Sequence, residues 1–161
     1  MKPSIEVFMG EAVVPQSSDS VLITFVGSCV ALCIYDPKAK LGGMAHIMLP
    51  QKSQHVSEDH KCNGKYADQA LTYLLGTLKQ KGSDLKKIKA KMSGGAQIFS
   101  TETGNGFDIG KRNIESVKKL LKDANIQLLA EETGKNHGRW VKFDTHTGQL
   151  VVKGKRGETV L

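Results

Sequence analysis

Cys29 follows a Gly-Ser pair and heads an apolar run, VALCIY at 30–35. A packing cysteine could sit anywhere in such a run. The GSC at 27–29 places this one where the backbone must bend and a thiol can be presented to a substrate. A free thiol has a pKa of about 8.5–9, so a nucleophilic cysteine needs a neighbouring base near neutrality. His46, in LGGMAHIML at 41–49, is the candidate. An imidazole can take the thiol proton and later protonate a departing amine, while a third group holds the ring by its other nitrogen. The chemistry would be attack on an amide. The plainer alternative is a cysteine and a histidine that meet in a core by packing alone.

The elements around these residues give the two side chains a reason to meet. Residues 29–35 read as an apolar strand with Cys29, Ala31, Cys33 and Tyr35 on one face. Asp36-Pro37-Lys38-Ala39 suits a type I turn, with Asp at the first corner and Pro at the second. A hairpin closed there sets Tyr35 against Lys40 and Cys29 against His46. Cross-strand neighbours have Cβ atoms about 4.5–5.5 Å apart. A slip of two residues would keep the thiol and imidazole on one face, and a slip of one would separate them.

Further along, IEVFMGEAVV at 5–14 and VLITFV at 21–26 are β-prone runs separated by PQSSDS. Apolar spacing through Ala67, Ala70, Leu71, Leu74, Leu75 and Leu78 predicts a helix over 65–81, stopped by Gly82. KIKAKM at 87–92 alternates as a half-buried strand. Ile114, Val117, Leu120, Leu121 and Ala124 predict a second helix over about 110–124. IQLLAEE, RWVKFDT and QLVVK read as closing strands, with Trp140 and Phe143 as packing residues. Strands outnumber helices and the helices are inserted between them, which favours an α+β fold over a doubly wound sheet.

A length of 161 residues suits one domain over 1–161, with GKRGETVL at 154–161 as a frayed tail. Three cysteines cannot form a fully paired disulfide framework, and Cys33 and Cys62 read as buried thiols. The start, MKPSIEVFMGE, lacks the apolar region of a secretory signal, and no run approaches a membrane span. The expected setting is the cytoplasm, without direct membrane insertion. A net charge of +7 favours acidic partners. Only Arg112, Arg139 and Arg156 of the 23 cations are arginine, however, so nucleic acid is a poor candidate. His55, His60 and Cys62 lack a recognised metal-ligand spacing. The glycines of SGGAQIF and TETGNG do not fit a phosphate loop.

GSCVALCIYDP, GGMAHIMLP, KYADQAL, KMSGGAQIF, IGKRNIESVKKLL and GRWVKFDTHTGQLVV occur in that order, and the chain resembles the CheD family from about residue 5 to residue 153. The resemblance implies a chemoreceptor glutamine deamidase of bacterial chemotaxis, with a Cys-His-Thr site and no metal or organic cofactor. It implies a β-rich sandwich with flanking helices, similar to the catalytic domain of cytotoxic necrotizing factor toxins. By position in the family's motifs, Cys29 matches the nucleophile, His46 the general base and Thr24 the residue that orients the imidazole. Ser28 or a backbone carbonyl is the alternative partner for the ring. The implied partners are the cytoplasmic helices of chemoreceptors and, in some bacteria, a CheC-like phosphatase. The rival reading is a non-catalytic adaptor that binds the same partners.

Overall fold

The computed structural model describes residues 1–52, 62–98 and 108–161. Among the described residues, ten strands form two five-stranded sheets. The first runs in the order β1 (Ser4–Glu6), β3 (Val21–Val26), β8 (Arg139–Asp144), β9 (Leu150–Gly154), β10 (Gly157–Val160). The second runs β2 (Ala12–Val13), β5 (Leu41–Ile47), β4 (Val30–Asp36), β6 (Lys89–Gly94), β7 (Gln127–Thr133). Helix α1 (Ala67–Gln80) lies between β5 and β6 in the chain, and α2 (Ile109–Asp123) between β6 and β7. The class is α+β, as the sequence pattern predicts, and the β-sandwich with helices on one side is what the family resemblance implies.

Strand β4 is the centre of the molecule, and all seven of its residues are buried. Its Ala31, Cys33 and Tyr35 join Met44 against Leu22, Val141, Phe143, Leu150 and Val152 of the first sheet. Its Val30, Leu32 and Ile34 join Ala45, Ile47, Ala90 and Met92 against Leu71, Leu74, Leu78, Val117 and Leu121 of the helices. A strand covered on both faces has no polar face to alternate with, hence the unbroken apolar run. Both helices begin and end within two residues of their expected limits. Helix α2 is capped by Asp108, whose carboxylate accepts from the Lys111 N–H at 3.0 Å.

Three features differ from the sequence expectations. The 5–14 run is two strands, not one: β1 pairs with β3 and β2 with β5, so the chain crosses between sheets, with Gly10 at φ 82°. The β4–β5 hairpin closes two residues later than a tight turn would. Tyr35 pairs with Gly42 and Asp36 with Leu41. The Asp36 carboxylate accepts from the N–H groups of Lys38 (2.9 Å) and Ala39 (3.1 Å), and its carbonyl accepts from Lys40 N–H at 2.9 Å. Lys40 adopts φ 56°, which completes a four-residue loop over 37–40. Residues 154–161 are not frayed. They hold β10, paired with β9 as a hairpin, and Leu161 exchanges two backbone hydrogen bonds with Leu150. Glycine at φ 119° (Gly157) turns that hairpin, a feature that a Gly/Lys/Arg-rich composition conceals.

Candidate active site

The segment joining β3 to β4 passes from one sheet to the other at one end of the sandwich, and Cys29 lies on that crossing. Thr24 sits on the inner face of β3 and His46 on the inner face of β5, so the two sheets each bring one side chain to the same end. The register sets Ala31 opposite His46. Cys29 lies two residues before Ala31, on the bend that leads into β4, and packs against the core between the sheets. The hairpin slipped by two residues relative to the tight-turn expectation, which is the slip that preserves the pairing of faces.

The three predicted residues differ in what they touch. Thr24 Oγ1 lies 2.7 Å from His46 Nδ1 and donates to the Val7 carbonyl at 2.7 Å. Thr24 is 2 % exposed and His46 4 %. A hydroxyl has one proton, and the carbonyl can only accept, so the Thr24 proton belongs to Val7. Oγ1 must then accept from His46 Nδ1–H. That leaves the lone pair on Nε2, the tautomer that a general base requires. The Val7 carbonyl, brought in by the chain crossing between β1 and β2, meets both the Thr24 hydroxyl and the His46 ring. The His46 backbone is bound into the same crossing, donating to Glu11 O at 2.8 Å and accepting from Gly10 N–H at 3.0 Å.

Cys29 is half-buried, and burial pushes its thiol up from the ordinary 9.0. Burial also pulls His46 down from 6.5, partly opposed by the Val7 carbonyl. Both groups thus favour their neutral forms. Cys33, by contrast, is fully enclosed between the sheets and is a packing residue. Cys62 is half-buried beside Gly10, while His55 and His60 lie outside the described residues, as does TETGNG.

The GSC turn is held by its carbonyls. Gly27 O accepts from Ala96 N–H at 2.9 Å, and Cys29 O from Gly95 N–H at 2.8 Å. Between them, Ser28 O accepts from Asn113 Nδ2 of α2 at 3.1 Å. Gly94 has φ 113°, and a Cβ there would lie 2.2 Å from the Cys29 carbonyl oxygen, so this position requires glycine. The glycines of SGGAQIF are therefore close-packing residues, Gly94 against the GSC turn and Gly95 against Ile114 of α2. Behind them, buried Arg139 donates to Glu132 Oε2 at 2.6 Å and to the carbonyls of Glu132, Gly134 and His137. That fixes the 133–138 segment, which in turn bonds the glycine loop through Gly134 N–H to Gly94 O and Gln97 N–H to Lys135 O, each at 2.9 Å.

Sequence reasoning missed Asn113 and Arg139. The signal for Asn113 was present: it lies four residues before Val117 and eight before Leu121, a polar residue on the buried stripe of α2. Arg139 carried no such signal, since a cation heading a strand reads as solvated. Trp140 was expected to pack, yet it is 47 % exposed on the outer face of β8, edge-to-face with Phe25 at 5.2 Å. Phe143 packs as expected, fully buried.

Comparison with known proteins places this arrangement. The family described as CheD chemotactic sensory transduction matches residues 48–154. The chain belongs to the CheD family. A chemoreceptor glutamine deamidase CheD from Thermotoga maritima is 43 % identical over 145 residues, covering 90 % of this chain and 88 % of its own. A probable chemoreceptor glutamine deamidase CheD from Archaeoglobus fulgidus is 41 % identical over 153 residues, covering 94 % and 95 %. The Halalkalibacterium halodurans CheD deamidase is 38 % identical over 154 residues, covering 95 % and 94 %. The family match begins after His46, whereas the last of these relatives covers so much of the chain that its match must span Thr24, Cys29 and His46. Among the described residues, no helix of this CheD chain is long and apolar enough to cross a membrane.

Proposed function

We propose that this chain deamidates glutamine side chains of chemoreceptors, converting them to glutamates through a thioester on Cys29. The observation that carries the reading is the Thr24–His46 hydrogen bond, which leaves the Nε2 lone pair to act as a base, in a member of a family whose curated relatives bear the deamidase name. Cys29 Sγ attacks the side-chain amide carbon as His46 Nε2 takes the thiol proton. The tetrahedral intermediate collapses with loss of the C–N bond, and His46 returns the proton to departing ammonia. Water, deprotonated by His46, then attacks the thioester carbon. The C–S bond breaks, leaving glutamate and a regenerated thiol. Backbone N–H groups at Ser28 and Cys29 are the donors for the oxyanion, each such donor contributing about 2.7–4 kcal/mol in enzymes where one has been removed.

The substrate region is the cytoplasmic, helical part of the receptor, which puts this enzyme in the cytoplasm. A net charge of +7 suits an acidic docking partner. A CheC-like phosphatase is the second partner that the family resemblance supplies, and co-purification with such a protein tests it. The deamidase reading is tested with receptor cytoplasmic fragments, wild type beside Cys29→Ala. The expected result is ammonia release with a matching Gln-to-Glu mass change, both lost in the variant. A receptor that binds but is left unmodified by the wild type would favour the adaptor reading, and cleaved fragments would indicate a peptidase.

A further inference from the structure

We infer that Asn113 is a positioning residue for the nucleophile: its side-chain amide sets the orientation of the Ser28–Cys29 peptide and locks the entry to β4 to the exit from β5. This rests on the deamidase reading above and deepens it. Asn113 is fully buried in α2 and uses both protons of Nδ2, one on Ser28 O at 3.1 Å and one on Met48 O at 3.0 Å. Ser28 immediately precedes the nucleophile, and Met48 lies two residues beyond His46. One amide thus bridges the chain segments that carry the thiol and its base.

The direction of the contact matters as much as its presence. In a trans peptide the C=O and N–H point in opposite directions. Drawing the Ser28 carbonyl toward α2 therefore aims the Cys29 N–H away from the helix. Among the described residues that N–H has no protein partner, while the carbonyls of Gly27, Ser28 and Cys29 are all engaged. An unpaired N–H on the nucleophile's own residue is where a tetrahedral oxyanion can be met. The outer two carbonyls of the turn are held by backbone N–H groups, so only the middle one depends on a side chain.

Packing alone does not account for Asn113. Its Oδ1 is buried without a partner, and leaving a buried acceptor unsatisfied is unfavourable. Leucine, of similar size, would fill the space without that penalty. What asparagine adds is a pair of N–H donors on one short stem. Aspartate has none when ionised, serine has one, and glutamine would place the pair a methylene further out.

The experiment compares wild type with Asn113→Leu in deamidation of a receptor cytoplasmic fragment and in alkylation of Cys29 by iodoacetamide. Alkylation is a direct displacement with no oxyanion, so it reports the thiol and the fold but not the peptide orientation. The expected result is kcat lowered about 10- to 100-fold, less than the roughly 100- to 1000-fold seen when an oxyanion donor is removed outright, because the Cys29 N–H is misdirected rather than lost, with KM and the alkylation rate within twofold of wild type. If Asn113→Leu does not fold, Asn113→Ser, which keeps one donor, is measured in the same way and should show the same split with a smaller loss. Unchanged kcat, or kcat and alkylation falling together, overturns the inference. A wild type that releases no ammonia would overturn the deamidase reading, and this inference with it; an active wild type beside an unimpaired variant overturns the Asn113 role alone.

Discussion

Many cysteine hydrolases hold their nucleophile as a resting thiolate–imidazolium pair, and the surroundings of Cys29 and His46 predict that these two side chains do not form one. Ordinary values of 9.0 for Cys29 and 6.5 for His46 already make proton transfer between them unfavourable by about 3.4 kcal/mol. Burial raises the first and lowers the second, so it widens the gap. A direct S···N hydrogen bond could offset it, but the contacts of the His46 ring run to Thr24 and the Val7 carbonyl, and neither carries charge. At pH 7 a thiol of pKa 9.0 is about 1 % ionised, and a raised one less. The perturbation is pH and the assay is alkylation of Cys29 by iodoacetamide, followed by mass spectrometry of the Cys29 peptide. The rate should rise close to tenfold per pH unit from 6 to 9, without a plateau. Deamidation should behave differently, because His46 need only be neutral to act as a base during attack. A histidine whose pKa lies below 6.5 is protonated only in more acid solution, so kcat/KM should hold through pH 6.5 and fall below it. An alkylation rate that is flat between pH 5 and 8 would refute this reasoning, since only a preformed thiolate gives that profile.

Thr24→Val removes the hydroxyl at nearly constant shape and strands the Val7 carbonyl and His46 Nδ1–H in a buried site. Thermal unfolding should show a loss of about 2 kcal/mol, and deamidation a kcat reduced about 10- to 100-fold at unchanged KM. Thr24→Ser should restore most of both, and a fully active Thr24→Val would show that Val7 alone orients the ring. Gly94→Ala should lower the melting temperature by several degrees and abolish turnover, because the new methyl meets the Cys29 carbonyl in a backbone conformation that alanine rarely adopts. Wild-type activity in that variant would mean that the nucleophile turn can move without consequence.

The parts of this molecule that the sequence disclosed are those written in local patterns. The helices follow from 3.6-residue spacing, and the hairpin from an Asp-Pro turn between apolar runs. The hairpin also shows where local patterns stop. Asp36 stays within β4 because its carboxylate reaches beyond its own loop, accepting from Ser83 Oγ at 2.8 Å and Asp84 N–H at 3.1 Å. Burial pushes that carboxyl up, but the donors on Ala39, Ser83, Lys38 and Asp84 more than compensate and hold it below the usual carboxylate range. Two of those donors lie across a helix from the turn, so no reading confined to residues 35–40 could set the register. The alternation of faces survived the error because a two-residue slip is invisible to it.

The same distinction separates the visible from the hidden parts of the site. Cys29 and His46 are linked by strand periodicity, which a sequence displays. Thr24 comes from motif position, and its hydroxyl is bound to the carbonyl of Val7, which is brought in by a chain crossing that apolar runs do not encode. Asn113 and Arg139 are further removed still. Each acts on backbone carbonyls, and a carbonyl leaves no trace in a residue's identity. A turn can thus announce its cysteine through composition while concealing the groups that hold it. The exception is a buried polar residue on an otherwise apolar helix stripe, as at Asn113. There the mismatch between residue type and expected burial is itself the clue, because an amide in a core is unfavourable unless its donors are used.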